Sequence, residues 1–453
     1  MSDTSLKADH LCVLVHGLWG NPSHLDQVAT ALEERHGEKL HILCAKENSG
    51  NFTYDGIELG GERLAHEIED TLDTLEKEGQ KIRRISVVGY SLGGLVARYA
   101  IGLLEAQGWL DKVEPVNFTT FASPHVGVRA PLKGWWGKFW NVMGARTVSM
   151  SGQQLFMVDS FRDTGRPLLS VLADPESIFI KGLKKFQNRS TYGNILNDRT
   201  TAFYTTTLSK VDPFQDLDNI NINYVDGYEQ VIIDPNDYLL PSVSSDSDSV
   251  TATTCDRHKA FMRDAPFWML VLVLIGPAST LFLANSAIQT FRSQRRIKLH
   301  AEGDNGLRFG RYKIPLLIRD AQSALEEVFE HANAHQEPAY LSSTESDMSD
   351  LSESKGQRFS KSGKRSRSPF GSISSKKTHR ASVEHTHHHP KLALTPEQFA
   401  IIDNLNDVGF TKYPVYIHNH RHTHAAIIVR SPKDGFYEGK IVMKHWLDQG
   451  FVI

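Results

Sequence analysis

The serine within Gly89-Tyr90-Ser91-Leu92-Gly93 is the residue of this chain whose setting best suits nucleophilic chemistry. The Gly-x-Ser-x-Gly pattern directly follows an apolar run at residues 85–88 and opens a helical pattern at residues 92–105. A strand, a tight turn and a helix form the context in which small residues let the backbone expose a serine hydroxyl. The N-terminus of the helix also favours negative charge that develops beside it. We therefore predict that Ser91 is the nucleophile of an acyl-transfer reaction.

An oxyanion hole for this serine is predicted from His16-Gly17-Leu18, which comes directly after the first apolar run, residues 11–15. In sites of this kind, one backbone N–H comes from that loop and another from the residue after the nucleophile. Leu18 and Leu92 are therefore the expected main-chain donors. His16 is expected to order the loop, because an oxyanion hole requires loop geometry and not imidazole chemistry.

The acid should follow the serine in the chain and lie after a later strand. Asp198 fits this position, because it comes after a strand-like run at residues 190–196. Asp212 is the alternative, and its other interpretation is a turn aspartate in front of Pro213.

The base should come last in the chain. His424 directly precedes the apolar residues 425–429 and is the expected base, with His422 as the second choice. His418, His420, His422 and His424 alternate, which on a strand would place them on one face and suggest a metal site. No carboxylate lies between them, so a polar loop with one catalytic histidine is the preferred interpretation.

These roles predict a two-step mechanism. His424 removes the proton from Ser91, Ser91 attacks the acyl carbonyl, and Asp198 fixes the imidazole tautomer and stabilises its protonated form. Water activated by the same histidine then releases the acyl product. Such a mechanism requires no metal and no organic cofactor.

The elements that must position these residues are short apolar runs separated by amphipathic helical patterns. The runs lie at residues 11–15, 41–44, 85–88, 116–121 and 190–196, with another strand-like run at 413–417. Strands that are continuously apolar and alternate with helices indicate a parallel sheet covered on both faces. The predicted fold class is therefore α/β, with a mostly parallel, doubly wound sheet.

Composition excludes several classes of protein. The chain has 453 residues, 40% of them hydrophobic, and a formal net charge of -3. It can therefore build a core, and global charge does not favour binding to nucleic acid. Three distant cysteines exclude a disulfide framework and a cysteine-rich zinc site, and they suggest a reducing compartment. The polar N-terminus lacks the layout of a signal peptide, so secretion is not expected.

One apolar segment interrupts the predicted catalytic residues. Residues 265–291 contain no Asp, Glu, Lys or Arg, and Pro277 lies at their middle. Because Ser91 and Asp198 precede this segment and His424 follows it, the segment should return the chain to the same side of a membrane. A hairpin or an interfacial insertion is therefore predicted, with a buried core helix as the alternative.

The rest of the chain is predicted to contain linkers and a disordered segment. Residues 342–354 carry four acids and no base, and residues 355–380 carry nine bases and no acid, which is typical of solvated sequence. The predicted divisions are a hydrolase core at 1–220, a linker at 221–254, an apolar membrane hairpin with basic flanks at 255–300, a helical insertion at 301–340, a disordered segment at 341–393 and a C-terminal part of the core at 394–453.

Two segments, His10–Leu25 and Val87–Tyr99, resemble the serine-lipase family of fungi, a group of α/β-hydrolases. Phe121–Gly127 is similar to that family's Thr-Pro-His-Leu-Gly segment, and Phe186–Thr207 is similar to the segment around its acid. The resemblance implies an α/β-hydrolase fold and hydrolysis of acyl esters of lipids. Thr201-Ala202 departs from the Val-Pro that usually follows the Asp-Arg pair in the family.

The function predicted from these features is hydrolysis of fatty-acyl esters of phospholipids or related glycerolipids at the cytosolic face of lipid droplets or of the endoplasmic reticulum. The partners expected are a lipid substrate and a membrane or droplet surface bound through residues 265–291. An aromatic group at residues 135–140 suggests a lid or interfacial anchor, or else an ordinary packed helix. The alternatives are an acyl-protein or acyl-CoA thioesterase, and an inactive lipid-droplet-binding protein.

Overall fold

The computed structural model of this chain contains one parallel sheet, and β-branched and other apolar residues dominate most of its strands, whereas the last two in the chain are mixed in polarity. The strands of this sheet are β1 (His10–Val15), β2 (Leu40–Cys44), β3 (Arg84–Tyr90), β4 (Glu114–Phe121), β5 (Asn188–Asn194) and β8 (Thr411–Val415). The strand order is β2-β1-β3-β4-β5-β8, and every neighbouring pair is parallel. The predicted parallel sheet is therefore confirmed, with strands at all six apolar runs.

The structure describes residues 8–129, 149–198, 200–228, 230–240, 287–299, 340 and 391–453. The predictions for the aromatic group at 135–140, for the apolar segment as far as residue 286 and for the charged blocks at 342–380 lie outside these residues. Within the described ranges, no helix has both the length and the apolar content that crossing a membrane requires.

Helices cover both faces of the sheet. They are α1 (Asp26–His36), α2 (Ile57–Lys77), α3 (Leu92–Ala106), α4 (Ser149–Leu155), α5 (Leu168–Leu172), α6 (Ile178–Lys185), α7 (Phe203–Thr206), α8 (287–299), α9 (Pro396–Asn406), α10 (Thr423–Ala426) and α11 (Tyr437–His445). Thr395 and Gln398 form a capping box at the start of α9, as the Thr-Pro-Glu-Gln sequence predicts. The helix predicted at 92–105 is present as α3.

The alternation of side chains along β1 shows how the two faces are divided. Leu11 and Val13 point into one apolar cluster, which includes residues of α2, α3, α6 and α9. Cys12 and Leu14 point into another, which includes residues of α1, α10 and α11. Because successive side chains of a strand lie on opposite faces, both faces of this sheet are buried, and the fold is doubly wound.

Residues 221–228 and 230–240, predicted to be part of a linker, pack onto the sheet. Strands β6 (Asn221–Ile222) and β7 (Leu239–Leu240) pair antiparallel, and Ile232 forms a bridge with Val415 of β8. Val231 and Ile233 are buried beside it. The folded core therefore extends beyond residue 220, because these apolar side chains are covered by strand β8 and its neighbours.

The sheet has a topological switch point between β1 and β3. From β1 the chain leads to β2 on one side, whereas β3 lies on the other side of β1 and leads on to β4 and β5. Ligands of doubly wound sheets bind at the carboxyl ends of the strands next to such a point. The loop after β1 begins at His16, and the turn after β3 is Ser91, so both lie at this position.

Candidate active site

The turn between β3 and α3 holds Ser91 in a strained backbone conformation. Ser91 has φ 54° and ψ -129°, which a residue with a side chain rarely adopts. Its backbone N–H donates a hydrogen bond to the carbonyl of Phe121 on β4, at 2.9 Å. The serine is therefore held at the carboxyl end of the sheet by the neighbouring strand.

Close backbone contacts explain the glycines of this turn. A Cβ on Gly93 would lie 2.2 Å from the carbonyl oxygen of Val15, and a Cβ on Gly89 would lie 2.4 Å from the Cα of Gly94. Neither distance leaves room for a side chain, and in both cases the obstacle is backbone. The Gly-x-Ser-x-Gly spacing is thus required by the packing of α3 against the ends of β1 and β3.

The loop after β1 lies directly against the serine. A Cβ on Gly17 would be 2.7 Å from Ser91 Cβ and 3.2 Å from Ser91 Oγ. Leu18 follows Gly17, and Leu92 is the first residue of α3, where a backbone N–H has no intrahelical acceptor. The loop and the helix start therefore flank Ser91, as expected for donors to an oxyanion.

His16 is buried inside the loop that it begins. Its Nδ1 lies 3.1 Å from the carbonyl oxygen of Gly17, and a Cβ on Gly20 would lie 2.9 Å from the same nitrogen. Burial lowers the pKa of His16, which the hydrogen bond to Gly17 only partly opposes, so the neutral ring is favoured. These contacts agree with a role in ordering the loop.

Ser91, His424 and Asp198 come together although they are far apart in the chain. His424 Nε2 lies 3.0 Å from Ser91 Oγ, and His424 Nδ1 lies 3.0 Å from Asp198 Oδ2. All three side chains are buried or nearly so. The two ring nitrogens of His424 thus join the hydroxyl to the carboxylate, which is the geometry of a nucleophile, a base and an orienting acid.

A dense set of donors surrounds the carboxylate of Asp198. Asn194 Nδ2 donates to Oδ2 at 3.0 Å, the Thr201 backbone N–H donates to Oδ1 at 2.8 Å, and the Thr201 hydroxyl donates to Oδ2 at 3.0 Å. Burial by itself raises the pKa of Asp198, but the charge of His424 and these hydrogen bonds lower it more. The net pKa is below the ordinary value, so the carboxylate is ionised at neutral pH.

Neighbouring residues contact both the backbone and the ring of His424. The Tyr90 hydroxyl donates to the carbonyl oxygen of His424 at 3.0 Å, and the two rings lie 5.1 Å apart. Thr423 Oγ1 donates to the carbonyl oxygen of Leu196, which ties α10 to the loop that carries the acid. The base is therefore fixed to both β3 and the loop after β5.

Asp212 and His422, the alternative candidates for the acid and the base, make other contacts. Asp212 Oδ1 accepts a hydrogen bond from the backbone N–H of Phe214, as a turn aspartate does. His422 stands one residue before α10 and donates its backbone N–H to His420 Nδ1. Neither alternative is in the hydrogen-bonded chain that includes Ser91 and His424.

The alternating histidines do not share a strand face, because β8 ends at Val415 and they lie in the loop and short helix beyond it. His418 instead pairs with the buried Glu438, at 3.1 Å. In the part of the chain that the structure describes, no three His, Cys, Asp or Glu side chains are grouped to hold a metal ion.

Three residues of the site could not be chosen from the sequence. Tyr90 occupies a variable position of the Gly-x-Ser-x-Gly pattern, Asn194 ends a strand, and Thr201 stands out only as a departure from the family. The useful signal is that Thr201 lies three residues after a candidate acid, where a short polar side chain can donate a hydrogen bond to the carboxylate.

This chain is similar to known serine esterases and lipases over part of its length. Residues 5–211 match the family model described as Putative serine esterase (DUF676). "Putative lipase C4A8.10" of Schizosaccharomyces pombe is 25% identical over 57% of this chain and 34% of its own length. "Putative lipase ROG1" of Saccharomyces cerevisiae is 33% identical over 46% of this chain and 30% of its own. The matched region thus spans about a third of the length of these relatives.

Among solved structures, a lipase-esterase related protein from Clostridium acetobutylicum is similar over 44% of this chain and 80% of its own, with 15% identity and a TM-score of 0.26. The family match covers both the nucleophile turn and the acid, whereas His424 lies beyond it. Residues 5–211 are therefore similar to the Putative serine esterase (DUF676) family, over somewhat less than half of this chain.

Proposed function

We propose that this protein is a serine lipase that hydrolyses fatty-acyl esters of phospholipids or related glycerolipids at a cytosolic lipid surface. The observation that carries the proposal is the continuous hydrogen-bonded chain from Ser91 Oγ through His424 to Asp198. An intact and aligned chain of this kind also favours an enzyme over an inactive lipid-binding protein.

The proposed chemistry follows from the geometry. His424 Nε2 takes the Ser91 proton as Oγ attacks the acyl carbonyl, and the main-chain donors at Leu18 and Leu92 stabilise the oxyanion. Collapse of the intermediate releases the alcohol, which takes its proton from His424. Water then attacks the acyl-enzyme with His424 as base again, and the fatty acid leaves. Asp198 stays ionised and stabilises the imidazolium in both steps.

Two facts support a lipid as the substrate. The fungal relatives carry the name lipase, and the chain contains the charge-free residues 265–291. An apolar segment within an ester hydrolase is useful when the substrate lies in a lipid phase. The substrate panel that tests the proposal therefore includes a phospholipid and another glycerolipid.

The connectivity supports a hairpin or interfacial insertion over a single crossing. Strand β5 precedes the apolar segment and β8 follows it, yet the two strands pair, with Tyr192 opposite Tyr413. This pairing supports a topology in which both flanks of the segment lie on one side of the membrane. Protease protection or glycosylation tags on each side of residues 265–291 test this, and opposite accessibility of the flanks would contradict the proposed topology.

The function is tested with the purified full chain on a phospholipid, a triacylglycerol and an acyl-CoA thioester. We expect hydrolysis of the glycerolipid oxygen esters and a loss of several orders of magnitude in Ser91→Ala. His424→Gln should lose activity similarly, whereas the matched variant His422→Gln should retain it. Undiminished hydrolysis in Ser91→Ala would refute the mechanism. Hydrolysis of the thioester alone would identify a thioesterase, and no hydrolysis by the wild type would favour a lipid-binding protein.

A further inference from the structure

Helix α8 packs on the catalytic core with its polar face. The residues turned inward are Gln289 and Ser293, which are buried, and Arg296. The opposite face carries Ile288 and Phe291, whose exposed fractions are 51% and 71%. A surface helix ordinarily buries its apolar stripe and exposes its polar one. This helix does the reverse at Ile288 and Phe291, which its packing on the core leaves exposed, whereas Ile297 and Leu299 are half-buried.

The polar packing is specific. Arg296 Nε donates to Asp55 Oδ2 at 2.8 Å, and Arg296 Nη2 donates to the carbonyl oxygen of Asn51 at 3.2 Å. Asp55 has a side chain with 0% exposure and also pairs with Arg63, at 2.6 Å. Ser293 Oγ donates to the carbonyl oxygen of Tyr54. An ion pair with a buried carboxylate fixes the rotation of α8, and therefore which face it presents outward.

The outward face is basic as well as apolar. Arg292 and Arg295 are exposed beside Phe291, Lys298 is exposed near the end of the helix, and residues 287–299 contain no Asp or Glu. In the sequence, residues 265–286 directly precede this helix, and they contain no Asp, Glu, Lys or Arg. Apolar side chains flanked by arginines suit the boundary between headgroups and acyl chains of a membrane with anionic lipids.

The position of α8 relates this face to the active site. The segment 50–55 that receives Ser293 and Arg296 also contacts the loop after β1 from its other side. Thr53 Oγ1 accepts a hydrogen bond from the Trp19 backbone, and Gly50 donates to the carbonyl oxygen of Gly20. One short segment thus joins α8 to the loop that begins at His16 and lies against Ser91.

We propose that the outward face of α8, formed by Ile288, Phe291, Arg292 and Arg295, binds an anionic lipid surface, and that the Arg296–Asp55 ion pair holds the catalytic core to that surface. The docking rests on the proposed function for the choice of lipid as partner. Beyond that function, the proposal names a lipid-binding site outside the active site. It also requires anionic headgroups and gives the core a defined orientation on the lipid surface.

The test measures binding of the full-length chain to vesicles in a Ser91→Ala background, so that hydrolysis does not alter the lipid. The vesicles are phosphatidylcholine alone and an equimolar mixture of phosphatidylcholine and phosphatidylserine. The Ser91→Ala protein, which is the parent of the variants below, should bind the mixed vesicles more tightly than those of phosphatidylcholine alone. Replacing Arg292 and Arg295 by Gln should reduce this preference roughly 25-fold, because each basic residue near an anionic surface contributes about 1 kcal/mol. High salt should reduce the preference of the parent in the same way.

Apolar contact is tested separately. Phe291→Ser should weaken binding to both kinds of vesicle by roughly tenfold, since a large part of a phenylalanine side chain is no longer buried in lipid. The matched controls are Val452→Ser and Lys440→Gln, which remove one exposed apolar side chain and one exposed charge elsewhere. The backbone N–H of Val452 donates to Asn117 Oδ1, in the N-terminal half of β4 and therefore away from the carboxyl end of the sheet, where Ser91 lies. Both controls should bind vesicles as the parent does.

Three results would overturn the proposed binding. In the first, the parent would show no preference for vesicles with phosphatidylserine. In the second, the double arginine variant would keep the preference of the parent. In the third, Lys440→Gln would lose as much of the preference as the double arginine variant does. Each surface substitution is also made with Ser91 intact and assayed on a water-soluble short-chain ester, where activity should be unchanged. A loss of this hydrolysis would indicate misfolding. The less disruptive variants Phe291→Ala, Arg292→Gln and Arg295→Gln would then be used in the vesicle-binding test instead. Failure of the docking leaves soluble-ester hydrolysis intact, whereas failure of the proposed function removes ester hydrolysis and leaves vesicle binding.

Discussion

Thr201 contacts Asp198 through its backbone and its side chain at once. The backbone N–H donates to Oδ1 at 2.8 Å and the hydroxyl donates to Oδ2 at 3.0 Å. The hydroxyl oxygen also lies 3.2 Å from Nδ1 of His424. The threonine therefore lies between the acid and the base and contacts both.

The first prediction concerns this hydroxyl as a positioning group. Thr201→Val keeps the shape and the backbone donor but removes the hydroxyl donor, which should lower kcat/KM roughly tenfold, because a hydrogen bond to a charged group contributes about 1.5–3 kcal/mol. Loss of a donor also raises the pKa of Asp198, and the more basic carboxylate stabilises the protonated imidazole of His424, so the acid limb of the pH profile should move to higher pH. Thr201→Ser should restore both. A reduced rate with an unmoved limb in Thr201→Val would contradict the positioning role.

The second prediction separates the two candidate acids. Asp198→Asn should lower kcat by about 10³–10⁴-fold, because an amide neither selects the required tautomer of His424 nor stabilises its charge. Asp212→Asn is the matched control and should leave kcat unchanged, since that carboxylate caps a turn. Steady-state assay on one soluble ester compares the two. Equal losses would show that the acid has been assigned wrongly.

The third prediction concerns the space behind the nucleophile. Gly93→Ala places a Cβ 2.2 Å from the Val15 carbonyl, so either β1 or α3 must move, and the free energy of unfolding should fall by more than about 3 kcal/mol. Gly108→Ala is the comparison, because Gly108 has φ +75° but nothing within 4 Å of the added Cβ. It should lose only about 1 kcal/mol, from backbone strain alone. Urea unfolding measures both, and similar losses would count against the steric explanation.

The fourth prediction concerns stability in acid. Burial lowers the pKa of His10 to about 4, helped by the charge of Arg84, and burial lowers the pKa of His445 to about 4 as well. Between about pH 6.5 and pH 4, the unfolded chain therefore binds protons at these positions that the folded chain does not. Stability should be fully present above pH 6.5 and fall as the pH is lowered towards 4.

Urea unfolding between pH 7.5 and pH 4.5 checks this, with His445→Gln as the variant. A glutamine side chain does not titrate, so the slope of unfolding free energy against pH should become smaller in the variant. His66, which is largely exposed on α2, supplies the matched control His66→Gln, and its slope should equal that of the wild type. An unchanged slope in His445→Gln would contradict the assignment.

Local features of the chain were predictable because neighbouring residues decide them. The turn at Ser91 requires glycines within a few positions, the capping box of α9 uses Thr395 and Gln398, and the six strands follow from short apolar runs. Such features depend on backbone geometry and on burial that a few consecutive residues reveal. The order in which Ser91, the acid and the base occur in the chain could likewise be inferred from the parallel α/β pattern.

The contacts that complete the site depend on residues far apart in the chain. That Asp198 and not Asp212 meets His424, and that Tyr90 and Thr201 support the pair, follows from β8 pairing with β5 after more than 200 intervening residues. The packing of residues 221–240 and the inverted orientation of α8 have the same origin, because Val415 and the buried Asp55 receive them. Periodicity within a segment shows which face is apolar. Which face is buried depends on the surface that receives the segment, and only the tertiary structure assembles that surface.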